Sequence, residues 1–121
     1  MSDVEKFLKN PDTLEEAVRY VLDMEMEDTD SWKAMEEDTA LAKTHHSIGR
    51  WIRNEFSLWD KEKAIHKNFN RRWNITHADD MSGIILRCVH RELNKLPWDV
   101  EGLVKRYKKH WEDQNAELAK S

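Results

Sequence analysis

An all-α single domain follows from three features of the 121-residue chain. Three glycines and two prolines leave little material for the turns of an all-β fold. Apolar residues recur at steps of three and four along several stretches, the helical period. Six tryptophans, three phenylalanines and two tyrosines supply a core even though 36% of the residues are charged, a composition that otherwise suits disorder. The length serves one core and not two. The patterning predicts a compact bundle of four to five helices. Residues 1–12 form a lead-in, 13–96 the helical core domain, and 97–121 a C-terminal amphipathic helix packed on the core or on a partner.

The first helix begins at Thr13. Thr13-Leu14-Glu15-Glu16 is a capping box, in which the Thr13 hydroxyl accepts the Glu16 amide and the Glu16 carboxylate reaches back to Thr13. Leu14, Ala17, Val18, Val21 and Leu22 then mark one buried stripe. After an acidic stretch, Asp30 or Ser31 is placed to cap a short turn holding Trp32 and Met35. A second helix is expected over 37–56, with Leu41, His45, Ile48, Ile52 and Phe56 on one side and Lys43, His46, Arg50 and Arg53 on the other. Gly49 lies mid-helix, where it costs about 1 kcal/mol against alanine, and a close helix crossing would account for it.

A shorter helix over 61–69 is followed by a basic turn, Asn70-Arg71-Arg72-Trp73-Asn74. Asp79 and Asp80 open the next helix, where the dipole favours negative charge. Met81, Ile84, Ile85, Cys88 and Val89, widened by Leu86 and Leu93, predict near-complete burial of this helix, which ends before Pro97. Asp99 caps the last helix. Its seam is Val100, Val104, Tyr107, Trp111, Gln114 and Leu118, with Lys105, Arg106, Lys108 and Lys109 on the other side.

The net charge of −4 conceals an asymmetry. Residues 1–40 hold four bases (Lys6, Lys9, Arg19, Lys33) against thirteen acids, a net of −9, and the remainder carries +5. Such polarity suits a charged partner or self-association. The single cysteine, Cys88, excludes an internal disulfide or a multi-cysteine metal site. Neither a charged-then-apolar leader nor a run of about 20 apolar residues is present, so a cytoplasmic protein without membrane association is expected.

Catalytic constellations are thin. His45 and His46 are adjacent and point about 100° apart on a helix, so they do not share a metal easily. His45 reads as a hydrogen-bonded core histidine. His46, His77 and Asp79 could assemble a nitrogen-and-oxygen metal site if the central helices meet, which would make a small metal-dependent enzyme. Asp79 and Asp80 are poorly placed as a general-acid pair, because the helix dipole favours their ionised forms. Their structural reading is one carboxylate capping the helix and the other pairing with Arg53 or Arg50. Arg71, Arg72, Trp73 and the basic last helix offer a nucleic-acid reading, which the acidic first third opposes. Ser47, Ser82 and Cys88 have no activating context, and no cofactor-binding loop is present.

Three blocks taken together carry a resemblance. They are Thr13-Leu14-Glu15-Glu16-Ala17-Val18; the run from His45 to Trp59 (HHSIGRWIRNEFSLW); and His77-Ala78-Asp79-Asp80-Met81-Ser82-Gly83-Ile84-Ile85. In this order they resemble a family of small helical proteins of bacterial and phage genomes, known only as a domain of unknown function. The likeness covers roughly residues 13–93. Ser57 stands where the family usually has glycine before Leu-Trp, and Ala78 where it usually has proline before Asp-Asp. The resemblance implies a fold and a genomic setting, with no catalytic residue to carry over. It also implies that His46, Arg53, Asn54, Trp59, Asp79, Asp80 and Ser82 act together. We read them as a polar network in which Arg53 pairs with Asp80 and Asn54 satisfies backbone groups near Leu58-Trp59.

The expected function is therefore a non-catalytic protein-binding module, of the kind phages use to modulate or inhibit a host protein concerned with defence or nucleic-acid processing. Two partner-binding surfaces are expected. One is the acidic face of Glu25, Glu27, Asp28, Asp30, Glu36, Glu37 and Asp38. The other is the C-terminal helix, with Tyr107, Trp111, Lys105, Lys108 and Lys109.

Overall fold

A computed structural model describes residues 10–24 and 26–120 of the chain, with side chains as far as Ala116. Among the described residues there are seven helices and no strand: α1 (Leu14–Asp23), α2 (Thr29–Ala34), α3 (Glu37–Thr44), α4 (Ile48–Glu55), α5 (Ala64–Trp73), α6 (Ala78–Leu93) and α7 (Val100–Lys120). The class is all-α as expected. The number exceeds four to five because the expected 37–56 helix is broken in two and the turn around Trp32 closes into a helix of its own.

The capping box at α1 forms with one shift. Thr13 Oγ1 accepts the Glu16 amide at 3.1 Å, but the Glu16 carboxylate accepts from the Asp12 amide at 2.9 Å rather than from Thr13. Leu14, Ala17, Val18 and Val21 are buried as the periodicity requires. Helix α2 starts at Thr29, earlier than Asp30 or Ser31, after Asp28 adopts a left-handed φ of 53°. The Trp32 indole is buried and donates to the Ala40 carbonyl at 3.0 Å, tying α2 to α3.

The break between α3 and α4 has a local cause. Thr44 Oγ1 bonds back to the Ala40 carbonyl and Ser47 Oγ to the Thr44 carbonyl, the side-chain competition that weakens helical ladders. The interruption frees the His45 carbonyl, which accepts from Arg53 Nη2 at 3.1 Å. Gly49 is buried here, and a Cβ on it would stand 3.1 Å from Arg53 Nη1 and 3.2 Å from the Thr44 carbonyl. Its helix penalty thus makes room for the guanidinium.

Helix α5 runs to Trp73, so the expected basic turn at Asn70–Asn74 is helical except at Asn74, whose left-handed φ of 55° ends it. Helix α6 is the axis of the bundle, packing on α1, α3, α4 and α7. Met81, Ile84, Ile85, Leu86, Cys88 and Val89 are all buried, each large side chain contributing about 1.5–3 kcal/mol of burial. Cys88 belongs to this core, and burial pushes its thiol up to about 12, far from a reactive thiolate. Asp99 Oδ1 accepts the Gly102 amide at 3.2 Å and caps α7 as expected. Helix α7 packs through Leu103, Val104 and the half-buried Tyr107. The anticipated seam omitted Leu103, and its Gln114 is exposed; the Leu118 side chain lies outside the described residues. None of the described helices is long and apolar enough to cross a membrane.

Candidate functional site

The start of α6 meets the α3–α4 break and the middle of α7, and the junction is held by polar side chains. Arg53 is buried, donates from Nη1 to Ser82 Oγ at 3.0 Å and lies 3.2 Å through Nε from Asp79 Oδ1. The partner differs from the expected one, since Arg53 pairs with Asp79 and not with Asp80. The alternative of an Arg53–carboxylate pair across two helices holds, but neither aspartate makes a side-chain cap bond at the α6 N-terminus, where His77 is the N-cap. Asp80 points instead toward α7 and accepts from Trp111 Nε1 at 2.7 Å. Burial raises the Asp80 carboxyl above its ordinary value, with the Trp111 donation and the nearby His77 opposing the rise. His77 stacks on the Trp111 indole, with ring centroids 4.4 Å apart and planes 18° apart.

Three members of the expected network lie outside it. His46 and Asn54 are exposed and make no side-chain hydrogen bond among the described residues, and Trp59 is exposed as well. Only the Asn54 backbone carbonyl serves the turn, accepting from the Ser57 amide. His46 lies in the break between α3 and α4 and Trp59 beyond the end of α4, so neither is held on a helix face toward the junction. His45, expected in the core, is half-buried and packs edge-on against His46. The buried histidines are His66, bonded through Nδ1 to the Leu58 carbonyl at 2.7 Å, and His90, bonded through Nε2 to the Met35 carbonyl at 3.1 Å. Among the described residues no three His, Cys, Asp or Glu side chains gather closely enough to hold a metal ion, so the alternative reading's cluster of His46, His77 and Asp79 is not assembled.

A second network locks α3 to α6 and α7. Arg87 Nη1 lies 2.7 Å from both Glu37 Oε2 and Asp38 Oδ1, and Arg91 Nε lies 2.6 Å from Glu37 Oε1. Arg106 approaches the same two carboxylates at 3.7 and 3.4 Å. Burial would raise the Glu37 carboxyl, but Arg91 and Arg87 hold it below the usual range. Arg87 itself is pushed upward, the donations to Tyr107, Asp38 and Glu37 outweighing its burial. Glu37 is therefore an internal counter-charge, while Asp38 stays exposed at the surface but is paired with Arg87 and Arg106. Glu27, Asp28, Asp30 and Glu36 are exposed as expected, and Glu25 lies outside the described residues. On the basic side, Arg71 is exposed, whereas Arg72 is engaged in a two-pronged pair with Glu15 at 2.7 and 3.0 Å and lies over the Trp73 ring. That engagement leaves Arg72 a cross-link between α1 and α5.

Between α3, the start of α6 and α7 runs a cleft of about 610 Å3. Leu41, Ala42, Tyr107 and Trp111 give it apolar walls, and His45, Asp79, Asp80 and His110 give it polar ones. Trp111 is 37% exposed there. Gly83 floors the cleft, since a Cβ on it would fall 2.2 Å from Tyr107 Oη. Tyr107 and Trp111 had been singled out by the α7 seam. Arg106 was expected only on the basic far side of that helix, and Arg87 and His110 were not expected at the site; the carboxylates that Arg87 and Arg106 meet come from α3, a relation that leaves no spacing in the sequence.

Residues 10–93 match the model of a family described as a domain of unknown function, DUF6794. The matched span ends with α6 and leaves out α7, which supplies one wall of the cleft. No curated protein and no solved structure matches the chain.

Proposed function

The chain belongs to the DUF6794 family, a domain of unknown function, and we propose that it acts as a non-catalytic protein-binding module. In this reading it is a cytoplasmic modulator or inhibitor of a host protein, of the phage type. The observation that carries the reading is the cleft wall formed by Tyr107 and Trp111 facing Leu41 and Ala42. Aromatic side chains with one polar end are the usual anchors of protein interfaces. Both are held from behind, Tyr107 by Arg87 Nε at 3.2 Å and Trp111 by Asp80, so a partner meets ordered rings and little ordering entropy is lost on docking.

Beyond the cleft, every described side chain of α7 from Glu112 to Ala116 is exposed. A polar helix end standing clear of its own core offers a second contact region, together with the exposed Lys105, Lys108 and Lys109. The exposed acids of the α2 region, Glu27, Asp28, Asp30 and Glu36, favour a partner with a basic patch.

The test is capture of tagged protein from its source cells, with mass spectrometry of co-eluting chains. Truncation after Pro97 would remove Leu103 and Val104 from the core, so chain-end variants should stop after Gln114 instead. The reading requires one stoichiometric partner that is lost on charge reversal at Lys105, Lys108 and Lys109 or at Glu27, Asp28 and Asp30. A partner that survives both reversals and the truncation would refute this placement of the surface.

A further inference from the structure

We infer that a second hollow, between α5 and the segment leading into α6, binds the phosphoryl group of a phosphate monoester. The hollow measures about 460 Å3 and is lined by Lys61, His66, Lys67, Asn70, Thr76 and His77. Residues 66, 67 and 70 share one face of α5. The left-handed Asn74 that ends α5 turns the chain back, so Thr76 and His77 return beside that face.

The lining is rich in donors and contains no carboxylate. Arg53, Arg72, Arg87, Arg91 and Arg106, which cross-link the helices, each have a carboxylate partner. At the hollow, Lys67 has only a loose, exposed contact with Glu62 at 3.9 Å, a geometry worth little in water. Lys61 is exposed and makes no ion pair among the described residues. Positive charge is thus left over in a concave site.

His66 is a preset part of this site. It is 4% exposed, and its Nδ1 meets the Leu58 carbonyl at 2.7 Å. A carbonyl only accepts, so Nδ1 carries the hydrogen and Nε2 is the ring nitrogen left for the hollow. Protonated, Nε2 donates to a phosphoryl oxygen; neutral, it accepts from a P–OH. A monoester presents three terminal oxygens and a charge of about −1.5 to −2, which suits two lysines with Asn70, Thr76 and His66. A diester has two such oxygens and a single charge, and satisfies the set less well.

The test is an amide and imidazole NMR titration of the full chain at low ionic strength. Glycerol 3-phosphate, inorganic phosphate and dimethyl phosphate are the probes. Glycerol 3-phosphate should give saturable shifts confined to the six lining residues and bind at least as tightly as inorganic phosphate. The double variant Lys61→Gln, Lys67→Gln should weaken it by at least about tenfold, the equivalent of losing one charge-assisted contact, with an unchanged unfolding midpoint because both side chains are exposed. Dimethyl phosphate should be weaker by a similar factor. Unsaturable shifts, shifts equally large at Lys105, Lys108 and Lys109, or unchanged binding in the double variant would overturn the assignment. So would inorganic phosphate binding alone, a diester binding as well as the monoester, or competition by an unphosphorylated oligonucleotide.

Discussion

Substituting Gly83 by alanine tests whether α7 is seated as described. A Cβ at position 83 would stand 2.2 Å from Tyr107 Oη and 3.0 Å from Cζ, more than 1 Å inside ordinary carbon–oxygen contact. Tyr107 is a rigid ring, so relief requires the ring to swing or α7 to lift. Either movement gives up the Arg87 Nε bond to Tyr107 Oη at 3.2 Å. Overpacking of this kind typically costs about 1–3 kcal/mol. Loss of this partly buried hydrogen bond adds about 1 kcal/mol, the ordinary net value, because Arg87 keeps its bonds to Glu37 and Asp38. Against this, alanine gains about 1 kcal/mol over glycine inside a helix. Gly83→Ala alone should therefore destabilise by roughly 1–3 kcal/mol, a drop in melting temperature of roughly 4–12 °C for a domain of this size. Removing the obstruction should reverse the sign: in a Tyr107→Ala background, Gly83→Ala should stabilise by about 1 kcal/mol. Thermal and urea unfolding of the four chains give the coupling energy directly. A stabilising Gly83→Ala in the wild-type background, or no coupling with Tyr107, would refute this seating of α7 on α6.

Other consequences are equally accessible. Ser57 holds a left-handed φ of 50°, which disfavours any residue with a Cβ by about 1–2 kcal/mol. Ser57→Gly should raise stability by about 0.5–1 kcal/mol after the added freedom of the unfolded glycine is subtracted, read as a shift of the urea midpoint. Arg53→Ala should cost about 1–3 kcal/mol, since it leaves the part-buried His45 carbonyl without its donor and empties the space of a buried side chain, while the Ser82 hydroxyl keeps its bond to the Asp79 carbonyl. Asp79→Asn should cost less than about 1 kcal/mol, because that carboxylate is 69% exposed. Equal losses in the two variants would contradict the partition of roles. Acid should destabilise through Glu37: its folded value is depressed, so its contribution is complete above the unfolded value of about 4.3 and is lost as pH falls through the lower folded value. Asp80 acts with the opposite sign, because its raised value makes the folded chain take up a proton first. Chemical denaturation between pH 3 and 7 should show a shallower acid limb for Glu37→Gln and a steeper one for Asp80→Asn.

Local rules made a large part of this protein legible without coordinates in space. The Thr13 cap, the Leu14–Val21 stripe, the buried run from Met81 to Val89 and the Asp99 cap each depend on residues within a turn or two of one another, and chain spacing alone specifies such relations. That Arg53, Asp79 and Ser82 act together was implied by the family resemblance rather than by spacing. What spacing could not decide was partnership across helices. Two adjacent aspartates are equivalent along the chain, yet one meets Arg53 and the other Trp111, because they leave the helix about 100° apart. The same holds for Glu37 and Asp38, which read as an acidic surface until α6 and α7 brought three arginines against them. The 45–47 break escaped the periodicity because His45 and Ile48 keep helical spacing across it, while Thr44 and Ser47 turn their hydroxyls on the backbone. Sequence alone determined the class, the core and the caps at Thr13 and Asp99, since these follow from hydrophobic burial and nearest-neighbour hydrogen bonding. The cleft and the donor-lined hollow were decided by tertiary structure, because a cavity is the space between elements and no single element encodes it.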